Sequence, residues 1–495
     1  MMRTVSGPEK QVCFVFDLHR GLTLRASPLR ARSRRDPLDL YFETDIGRDV
    51  RDLSDRALLP AAEAIENGLD QGFACALSIS GTLVDLLERH APDTLAAFAR
   101  IAHHPRVEVL STPYHHGLAA LLPDTGEFME EVERHHERME AAFGVRPAVF
   151  SPPELCANRA MAEVLPESGC TALLTEPRWC LPRDLDPTLV YRSGPVRVLL
   201  RHCCLSDDLA QRFFSPEWDR FPLYAETYAG WLAQTPGECV LVGLDLDRLG
   251  DGGGLLAFFD ALPAALEEAG VMTATPSAVL ASHPVETLGP EREVGWAAPD
   301  AGESWLETIL QHSAASALER AGTWLPEREV WRHLSSTDHF RAMAMRSGGC
   351  GRRQGVVDHQ ATVEAFGRFM RALSALEERS AARVRSRKAA VTLRTLPPEL
   401  AFAFSRDGHP AGYAAHSLAE CLEQLGFTAE EVIAGHLDRQ DFAHWCRDVL
   451  DDQVLAERVI VCRNRNELQE TMQERIDELA RRRRSPSSAG SPSTP

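Results

Sequence analysis

The chain has 495 residues, of which 44% are hydrophobic and 25% are charged, values typical of a globular protein with a sizeable core. Its formal net charge of −19 argues against nucleic acid or an anionic membrane as a partner, because phosphate groups repel an acidic surface. The 12 cysteines include no Cys-x-x-Cys pair, and several lie in apolar runs, which favours buried thiols over disulfides or a zinc knuckle. No signal peptide or apolar run of membrane-spanning length is evident, so we expect a cytoplasmic protein.

The first part of the chain alternates short apolar strands, polar loops and helical segments. Near-continuous apolar runs of strand length are typical of parallel strands that are buried on both faces. A helix is predicted at 128–143, where it ends at Gly144. Seven strand–helix repeats favour an α/β fold closed into a barrel over an open sheet. The strands are predicted at residues 12–18, 74–79, 107–110, 148–151, 172–175, 196–200 and 239–245.

From about residue 291 the pattern changes to long amphipathic helices, predicted at 304–321, 327–346 and 362–385. A compact α+β segment with its own apolar pattern follows, and the Arg/Ser/Pro-rich end is predicted to be disordered. The predicted domains are therefore a barrel at 1–285, a helical domain at 286–385, a linker at 386–396, a small α+β domain of unknown role at 397–483 and a tail at 484–495.

Polar side chains gather where the predicted strands end, which in such barrels is where the active site lies. His19 follows the first strand, His116 the third and Glu154 the fourth, and Asp245 ends the seventh. The prolines before Glu154 stiffen its loop, and a carboxylate at the end of an apolar strand must be paired, hydrated or functional. Two carboxylates from different strand ends can flank a glycosidic bond as nucleophile and acid/base. Alternatively, each could cap a helix or pair with an arginine.

Six segments of the chain resemble motifs of the α-amylase-type members of glycoside hydrolase family 57, in the same order. The resemblance covers most of residues 12–385 and implies a distorted (β/α)7 barrel, followed by a helical bundle that completes the active-site cleft. It also implies a retaining hydrolase or 4-α-glucanotransferase that acts on an α-glucan, without a cofactor or metal. The oligomeric state stays open. The segments are VCFVFDLH, VEVLSTPYHHGLAAL, FSPPELCAN, LSDDLAQRFF, LDLDRLGDG and WRHLSSTDHFRAM.

The resemblance also assigns roles to single residues. Glu154 matches the family's nucleophile position, and Asp245 matches its general acid/base position. His19 and His116 match positions that line the sugar subsite nearest the cleaved bond. Asp338 falls where the helical domain reaches back towards the barrel mouth.

Several positions depart from the family motifs. The family's His-Gln-Pro is here His-Arg-Gly, so that Arg20 stands in place of a neutral amide. Thr112 replaces a glutamate of the second motif, and Gly252 stands where the fourth motif has a histidine. Asp247 replaces a glutamate, and because it lies two residues beyond Asp245 at a strand end, we expect it to face away from Asp245.

Trp179 and the histidine pair His135 and His136 each have two interpretations. Trp179 follows the fifth strand and is either a platform on which a sugar stacks or a core residue. The adjacent His135 and His136 lie in a polar helix, where surface or hydrogen-bonding roles are expected.

Two alternative functions stay open at this point. The altered motif residues are compatible with a catalytically weakened glucan-binding protein. Asp17 and His19, together with His115 and His116, could instead hold zinc, as in a metal-dependent polysaccharide deacetylase-like hydrolase. That alternative leaves the placement of Glu154 unexplained.

Overall fold

A computed structural model gives the arrangement of the chain. Its contacts divide the chain into two compact units, the first made of Met1–Leu22, Thr44–Glu307 and Ser335–Val357, and the second of Thr23–Glu43, Thr308–Leu334 and Asp358–Pro495. The five-part domain division stays a prediction, and the predicted disordered tail lies outside the described residues. The structure describes residues 10–29, 36–118, 125–181, 184–237, 239–250, 252–283, 295–296, 306, 308–344, 359–406 and 408–483.

Seven parallel strands of the first unit form a closed ring, as predicted. The strands are β1 (Gln11–Leu18), β2 (Cys75–Ile79), β3 (Val107–Leu110), β4 (Val149–Phe150), β5 (Ala172–Thr175), β6 (Val196–Leu200) and β7 (Cys239–Asp245). Continuous ladders join β1 to β2, β2 to β3, β4 to β5, β5 to β6 and β7 to β1. Single parallel bridges, Ser111 with Phe150 and Arg201 with Leu241, connect β3 to β4 and β6 to β7 and complete the barrel.

Further strands at the edge of the ring distort the barrel. Met272–Thr273 pairs in parallel with the start of β1, and Val190–Ser193 pairs antiparallel with β6. A short antiparallel pair joins Cys180–Leu181 to Gly295–Trp296. The helices of this unit cover Ile46–Leu53, Leu59–Asp70, Gly81–His90, Pro92–Ala102, Thr125–Phe143, Arg159–Val164, Cys203–Ala210, Ala225–Gln234, Gly253–Glu268, Pro276–Ser282 and Thr337–Ala342.

The single helix predicted at 327–346 is wrong for the described residues, because it is broken at Ser335 and Ser336. Helices cover Arg328–Leu334 and Thr337–Ala342, with an extended Ser336 between them. The backbone there bonds to the barrel segment that follows β3: Leu118 donates to the Ser335 carbonyl at 2.9 Å. Gly117 and Ser336 form an antiparallel bridge. Backbone groups committed to this bridge cannot continue a helix.

The second unit contains the helices Ile309–Gly322 and His359–Ser380, which correspond to two of the three predicted long helices, and the small α+β segment. A hairpin of Phe402–Arg406 and His409–Ala415 packs with the surrounding helices, and Phe402 stacks on Phe442 with ring centroids 4.6 Å apart. The segment predicted as a linker carries the helix Arg387–Thr392. The helices of this unit cover Ile309–Gly322, Arg328–Leu334, His359–Ser380, Arg387–Thr392, Leu418–Leu425, Glu430–Asp438, Asp441–Asp448, Gln453–Val459 and Arg465–Arg483.

The described cysteines are all free thiols, and 8 of these 11 are buried, as the sequence pattern predicts. Burial raises the pKa of the Cys75 thiol to about 12, so this group is an uncharged core side chain rather than a nucleophile. Within the described part of the chain, no helix has both the length and the hydropathy needed to cross a bilayer.

Glu377 is a buried carboxyl group in the helix His359–Ser380. Its side chain accepts a hydrogen bond from the backbone N–H of Thr395 at 2.7 Å, and the residue is 2% exposed. Burial raises its pKa to about 7, against the opposing effects of that hydrogen bond, Arg320 and Arg483. This pKa is higher in the folded than in the unfolded chain. The contribution of Glu377 to the free energy of unfolding is therefore fully present below about pH 4.3 and is lost as the pH rises through 7.

We therefore expect Glu377→Gln, which keeps an acceptor for Thr395 but cannot ionise, to be more stable than the wild type above neutral pH. The gain should approach about 3 kcal/mol at pH 8 and vanish near pH 4. Thermal unfolding across this pH range measures it. Glu378→Gln is the control, because the neighbouring Glu378 side chain is 53% exposed. A stability difference that does not change with pH would contradict the prediction.

Candidate active site

Strand alternation decides which carboxylates face the inside of the barrel. Cys13 and Val15 of β1 belong to the cluster that fills the barrel, so Asp17, two residues further on, points to the same side. In β7, Leu241 belongs to that cluster and Asp245 follows in the same row. The ladder between these strands pairs Asp17 directly with Asp245. Two carboxylates therefore lie next to each other at the barrel mouth, where Asp245 is exposed.

Glu154 lies in a strained turn after β4. Glu154 and Leu155 both have left-handed backbone conformations, with φ of 56° and 54°. Such a conformation is uncommon for residues other than glycine and costs about 1–3 kcal/mol for each residue. The turn is held by the Leu155 N–H, which donates to the Pro152 carbonyl at 2.9 Å, and by the Thr175 hydroxyl, which donates to the Leu155 carbonyl at 2.8 Å. This geometry fixes the position of the Glu154 carboxylate.

An arginine connects Glu154 to the other carboxylates. Arg341 forms an ion pair with Glu154, whose side chain is only 13% exposed. The same arginine lines a cavity of about 40 Å³, together with Asp17, Asp245 and Asp247. The cavity has room for a few water molecules. Its remaining walls are Leu18, His19, Leu53, Leu58 and Leu83.

The expectation that Asp247 faces away from Asp245 is wrong, since both line this cavity. The strand ends at Asp245, and a 3-10 turn over Leu246–Gly250 follows. Period-two alternation holds only within a strand, so it does not apply to Asp247.

Two histidines stack at the mouth, and each contacts a carboxylate. The rings of His19 and His116 have centroids 4.2 Å apart and lie 15° from parallel. His19 Nε2 lies 3.3 Å from Asp338 Oδ2, and His116 Nε2 lies 3.2 Å from Asp17 Oδ2. His19 Nδ1 is 2.8 Å from the Ser80 hydroxyl. The structure thus brings together five polar side chains from four separate parts of the chain.

Electrostatics keeps these carboxylates ionised. Burial opposes ionisation of Asp338, but His19 and the Gly21 N–H outweigh it and hold the pKa of that carboxyl well below its usual range. Burial likewise opposes ionisation of Asp17, and contacts with His116 lower the pKa of that carboxyl overall. Burial and the adjacent His19 lower the pKa of His116 against the effect of Asp17. His116 is therefore a neutral imidazole at pH 7.

Gly21 is a departure from the family motif with a structural role. Its N–H donates to Asp338 Oδ2 at 2.9 Å, a bond that the proline of the motif cannot make. A Cβ at this position would lie 2.8 Å from Asp338 Oδ2 and 2.9 Å from the Ser336 hydroxyl. The missing side chain therefore allows Asp338 to approach the backbone.

Trp179 is only 6% exposed, so little of its face is available to a sugar in this structure. The Arg178 guanidinium lies 5.3 Å from the ring centroid. The indole N–H is buried and has no hydrogen-bond partner among the described residues. Of the other predicted site residues, Glu154 pairs with Arg341, which lines one cavity together with Asp245 and His19. His19 in turn stacks on His116 and contacts Asp338.

Two sets of buried supporting residues are missing from the predicted site. Arg201 bridges Glu176, at 2.9 Å, and Asp207, at 2.7 Å, next to the ends of β5 and β6. Asp207 belongs to the LSDD motif, which is the sequence signal that could have identified this network. His135 and His136 are fully buried, so the surface interpretation is wrong and the hydrogen-bonding one is confirmed. His135 Nε2 lies 2.8 Å from the Ile79 carbonyl, and His136 Nε2 lies 2.8 Å from the Ser111 hydroxyl.

The stacked histidines do not fit a zinc site. A zinc ligand needs one ring nitrogen directed at the ion, while the other makes a supporting hydrogen bond. Both ring nitrogens of His19 already lie within hydrogen-bond distance of protein oxygens, and so do both of His116, whose Nδ1 is 2.9 Å from the Thr337 hydroxyl. His115 is not part of the stacked pair, and its Nδ1 lies 2.9 Å from Glu131 Oε1.

Comparison with known proteins gives a consistent family. The family model of Glycosyl hydrolase family 57 matches residues 14–292. A curated protein of Methanocaldococcus jannaschii, provisionally described as an alpha-amylase, is 28% identical over 303 residues, which are 58% of this chain and 64% of that protein. The chain thus spans less than two thirds of the length of this relative.

Solved structures share the fold at low sequence identity. A family 57 branching enzyme from Pyrococcus horikoshii has a TM-score of 0.53 at 11% identity, covering 75% of this chain and 90% of that one. The branching enzyme from Thermococcus kodakaraensis has a TM-score of 0.52 at 12% identity, with coverages of 75% and 91%. The 4-alpha-glucanotransferase from Thermococcus litoralis has a TM-score of 0.50 at 13% identity, with coverages of 74% and 60%. At such identities the likeness is one of fold.

We predict that Gly21→Ala destabilises the protein by about 1–3 kcal/mol, because the added Cβ overlaps Asp338 and Ser336. Thermal unfolding measures the loss. Gly230→Ala is the matched control: its Cβ would meet nothing within 4 Å in the helix Ala225–Gln234, so stability should rise by up to about 1 kcal/mol. Equal effects of the two substitutions would contradict the account of Gly21.

Proposed function

The chain belongs to glycosyl hydrolase family 57, and from that premise we propose that it cleaves or transfers glycosidic bonds of an α-glucan. Glu154 is the nucleophile and Asp245 the general acid/base. The observation that carries the proposal is the pairing of a rigidly held, sheltered carboxylate with an exposed one at the same barrel mouth. A carboxylate nucleophile needs the fixed geometry, and an acid/base needs access to the leaving group and then to water.

The reaction runs in two steps. A Glu154 carboxylate oxygen attacks the anomeric carbon while Asp245 gives its proton to the departing glycosidic oxygen. Asp245, now ionised, takes a proton from water or from a sugar hydroxyl, which attacks the glycosyl-enzyme and releases Glu154. Water as the acceptor gives hydrolysis, and a sugar hydroxyl gives transfer.

The stacked histidines and their carboxylates are the proposed sugar-binding side chains nearest the cleaved bond. His19 and His116 are held in place by Asp338 and Asp17, and a sugar hydroxyl that bonds to either ring replaces one of these present contacts. Trp179 would contribute a stacking face only after a change that exposes it. The substrate class is glycogen, starch or maltodextrin, and buried free thiols favour a cytoplasmic setting.

A second candidate, a glucan-binding protein with weak turnover, is supported by one observation. The buried hydroxyl of Thr112, where the family motif has a glutamate, makes no hydrogen bond with the described residues.

Incubation of the purified protein with maltoheptaose, followed by chromatography, tests the proposal. Shorter products alone indicate hydrolysis, and products both shorter and longer than the substrate indicate transfer. A parallel reaction with a chelator tests the metal-dependent alternative, which requires loss of activity. Unchanged maltoheptaose together with measurable glucan binding would favour the binding protein.

Glu154→Gln should lower kcat by roughly 10³-fold or more, because the amide cannot form the glycosyl-enzyme, while glucan affinity is retained. Steady-state kinetics and calorimetric binding measure the two quantities. Glu163→Gln is the control for this substitution, since Glu163 is 58% exposed and pairs only with Arg159 in the contacts described here. A fully active Glu154→Gln enzyme would exclude Glu154 as the nucleophile.

Asp245→Asn should reduce turnover of maltoheptaose by about 10²–10⁴-fold, because its leaving group needs a proton. Aryl glycosides with acidic leaving groups should lose far less in the first step. The exposed Asp260, in the helix after β7, provides the Asp→Asn control. Equal losses on both substrates would argue against the acid/base role.

A further inference from the structure

The contact between Arg341 and Glu154 is not explained by the two catalytic steps alone. Arg341 is 29% exposed and Glu154 is 13% exposed, so the ion pair is largely sheltered from water. A sheltered pair is screened less by solvent than a surface pair, and its electrostatic effect is correspondingly larger. Guanidinium also offers a planar set of N–H donors, which fixes the orientation of a carboxylate.

Arg341 faces an unusual concentration of negative charge. Asp17, Asp245 and Asp247 line the same cavity, in addition to the direct contact with Glu154. Among the described residues that line the cavity, His19 is the one other basic side chain, and it contacts Asp338. Carboxylates that lie close together raise one another's proton affinity, whereas an adjacent cation lowers it. Arg341 also lowers the pKa of His116.

The helix that carries Arg341 begins next to His116, one of the two stacked histidines. The Thr337 N–H donates to the His116 carbonyl at 3.1 Å, and the Thr337 hydroxyl lies 2.9 Å from His116 Nδ1. Arg341 lies one turn further along, in Thr337–Ala342. The arginine is therefore held in place by the barrel segment that follows β3.

We propose that Arg341 is a positioning residue that keeps the Glu154 carboxylate ionised and oriented for attack. The inference rests on the proposed role of Glu154 as the nucleophile. The nucleophile must be ionised in the free enzyme, so its ionisation sets the low-pH limb of kcat/KM. A guanidinium beside it extends activity to lower pH and matters for kcat more than for KM, because it acts on the attacking atom.

The test is the pH dependence of kcat/KM on maltoheptaose for Arg341→Met and Arg341→Lys. Arg341→Met should move the low-pH limb upward by about one unit or more and lower kcat with little change in KM. Arg341→Lys keeps the charge but not the planar guanidinium group. It should therefore have the low-pH limb of the wild type but only part of the wild-type kcat. Arg146→Met is the matched control, because Arg146 pairs with Glu133 ahead of β4, at the opposite end of the strand that leads to Glu154. If the low-pH limb of kcat/KM does not move in Arg341→Met, the inference is overturned, even when the wild type is fully active.

A second measurement does not depend on turnover, so it tests the role of Arg341 separately from the proposed activity on α-glucans. Thermal unfolding of wild type, Arg341→Met, Glu154→Gln and the double variant forms a double-mutant cycle. At pH 7.5, Arg341→Met should lower Tm, and adding Glu154→Gln should recover part of the loss, with less recovery at pH 5. Strictly additive Tm changes would overturn the inference. If Arg341→Met does not fold, Arg341→Lys with and without Glu154→Gln completes the same cycle. A wild type that is inactive on α-glucans but shows this coupling would refute the proposed function alone.

Discussion

Closure of the barrel between β1 and β7 is the constraint on which the site depends. The ladder runs without interruption from Gln11 with Cys239 to Asp17 with Asp245. Because side chains alternate along a strand, this one register turns apolar side chains to the barrel interior and ends each row on a carboxylate. A slip of one residue would turn Asp245 outward and bury an apolar side chain at the mouth. The pairing that stabilises the fold therefore also sets the geometry of the chemistry.

Much of this architecture could be predicted because it follows from local patterns of apolar and polar residues. Apolar runs bounded by polar loops indicate the seven strands. Glu154 follows one strand and Asp245 ends another, so the sequence places both at the mouth of the barrel, where strand ends converge. The helix Thr125–Phe143 follows from its periodicity. Each inference uses only neighbouring residues and a fold class in which strand ends converge.

The errors lie where distant partners override local patterns. Ser335 and Ser336 read as part of a continuous helix, but their backbone pairs with the segment after β3. His135 and His136 lie among charged residues in sequence and are nevertheless buried, where each has a hydrogen-bond partner on another element. Arg341 carries no local signal of its own, since its importance comes from Glu154, which is far away in sequence.

The left-handed turn at Glu154 and Leu155 has a consequence for how this protein can evolve. Glycine adopts that backbone conformation without strain, so a chain with glycine at position 154 would be relieved of about 1 kcal/mol or more while losing the carboxylate. The same change would leave Arg341 without its partner Glu154, so relief of backbone strain and loss of the ion pair act on stability in opposite directions. If Glu154 is the nucleophile, as proposed, the strained glutamate serves turnover, and a descendant kept only to hold glucan would be free to relax it.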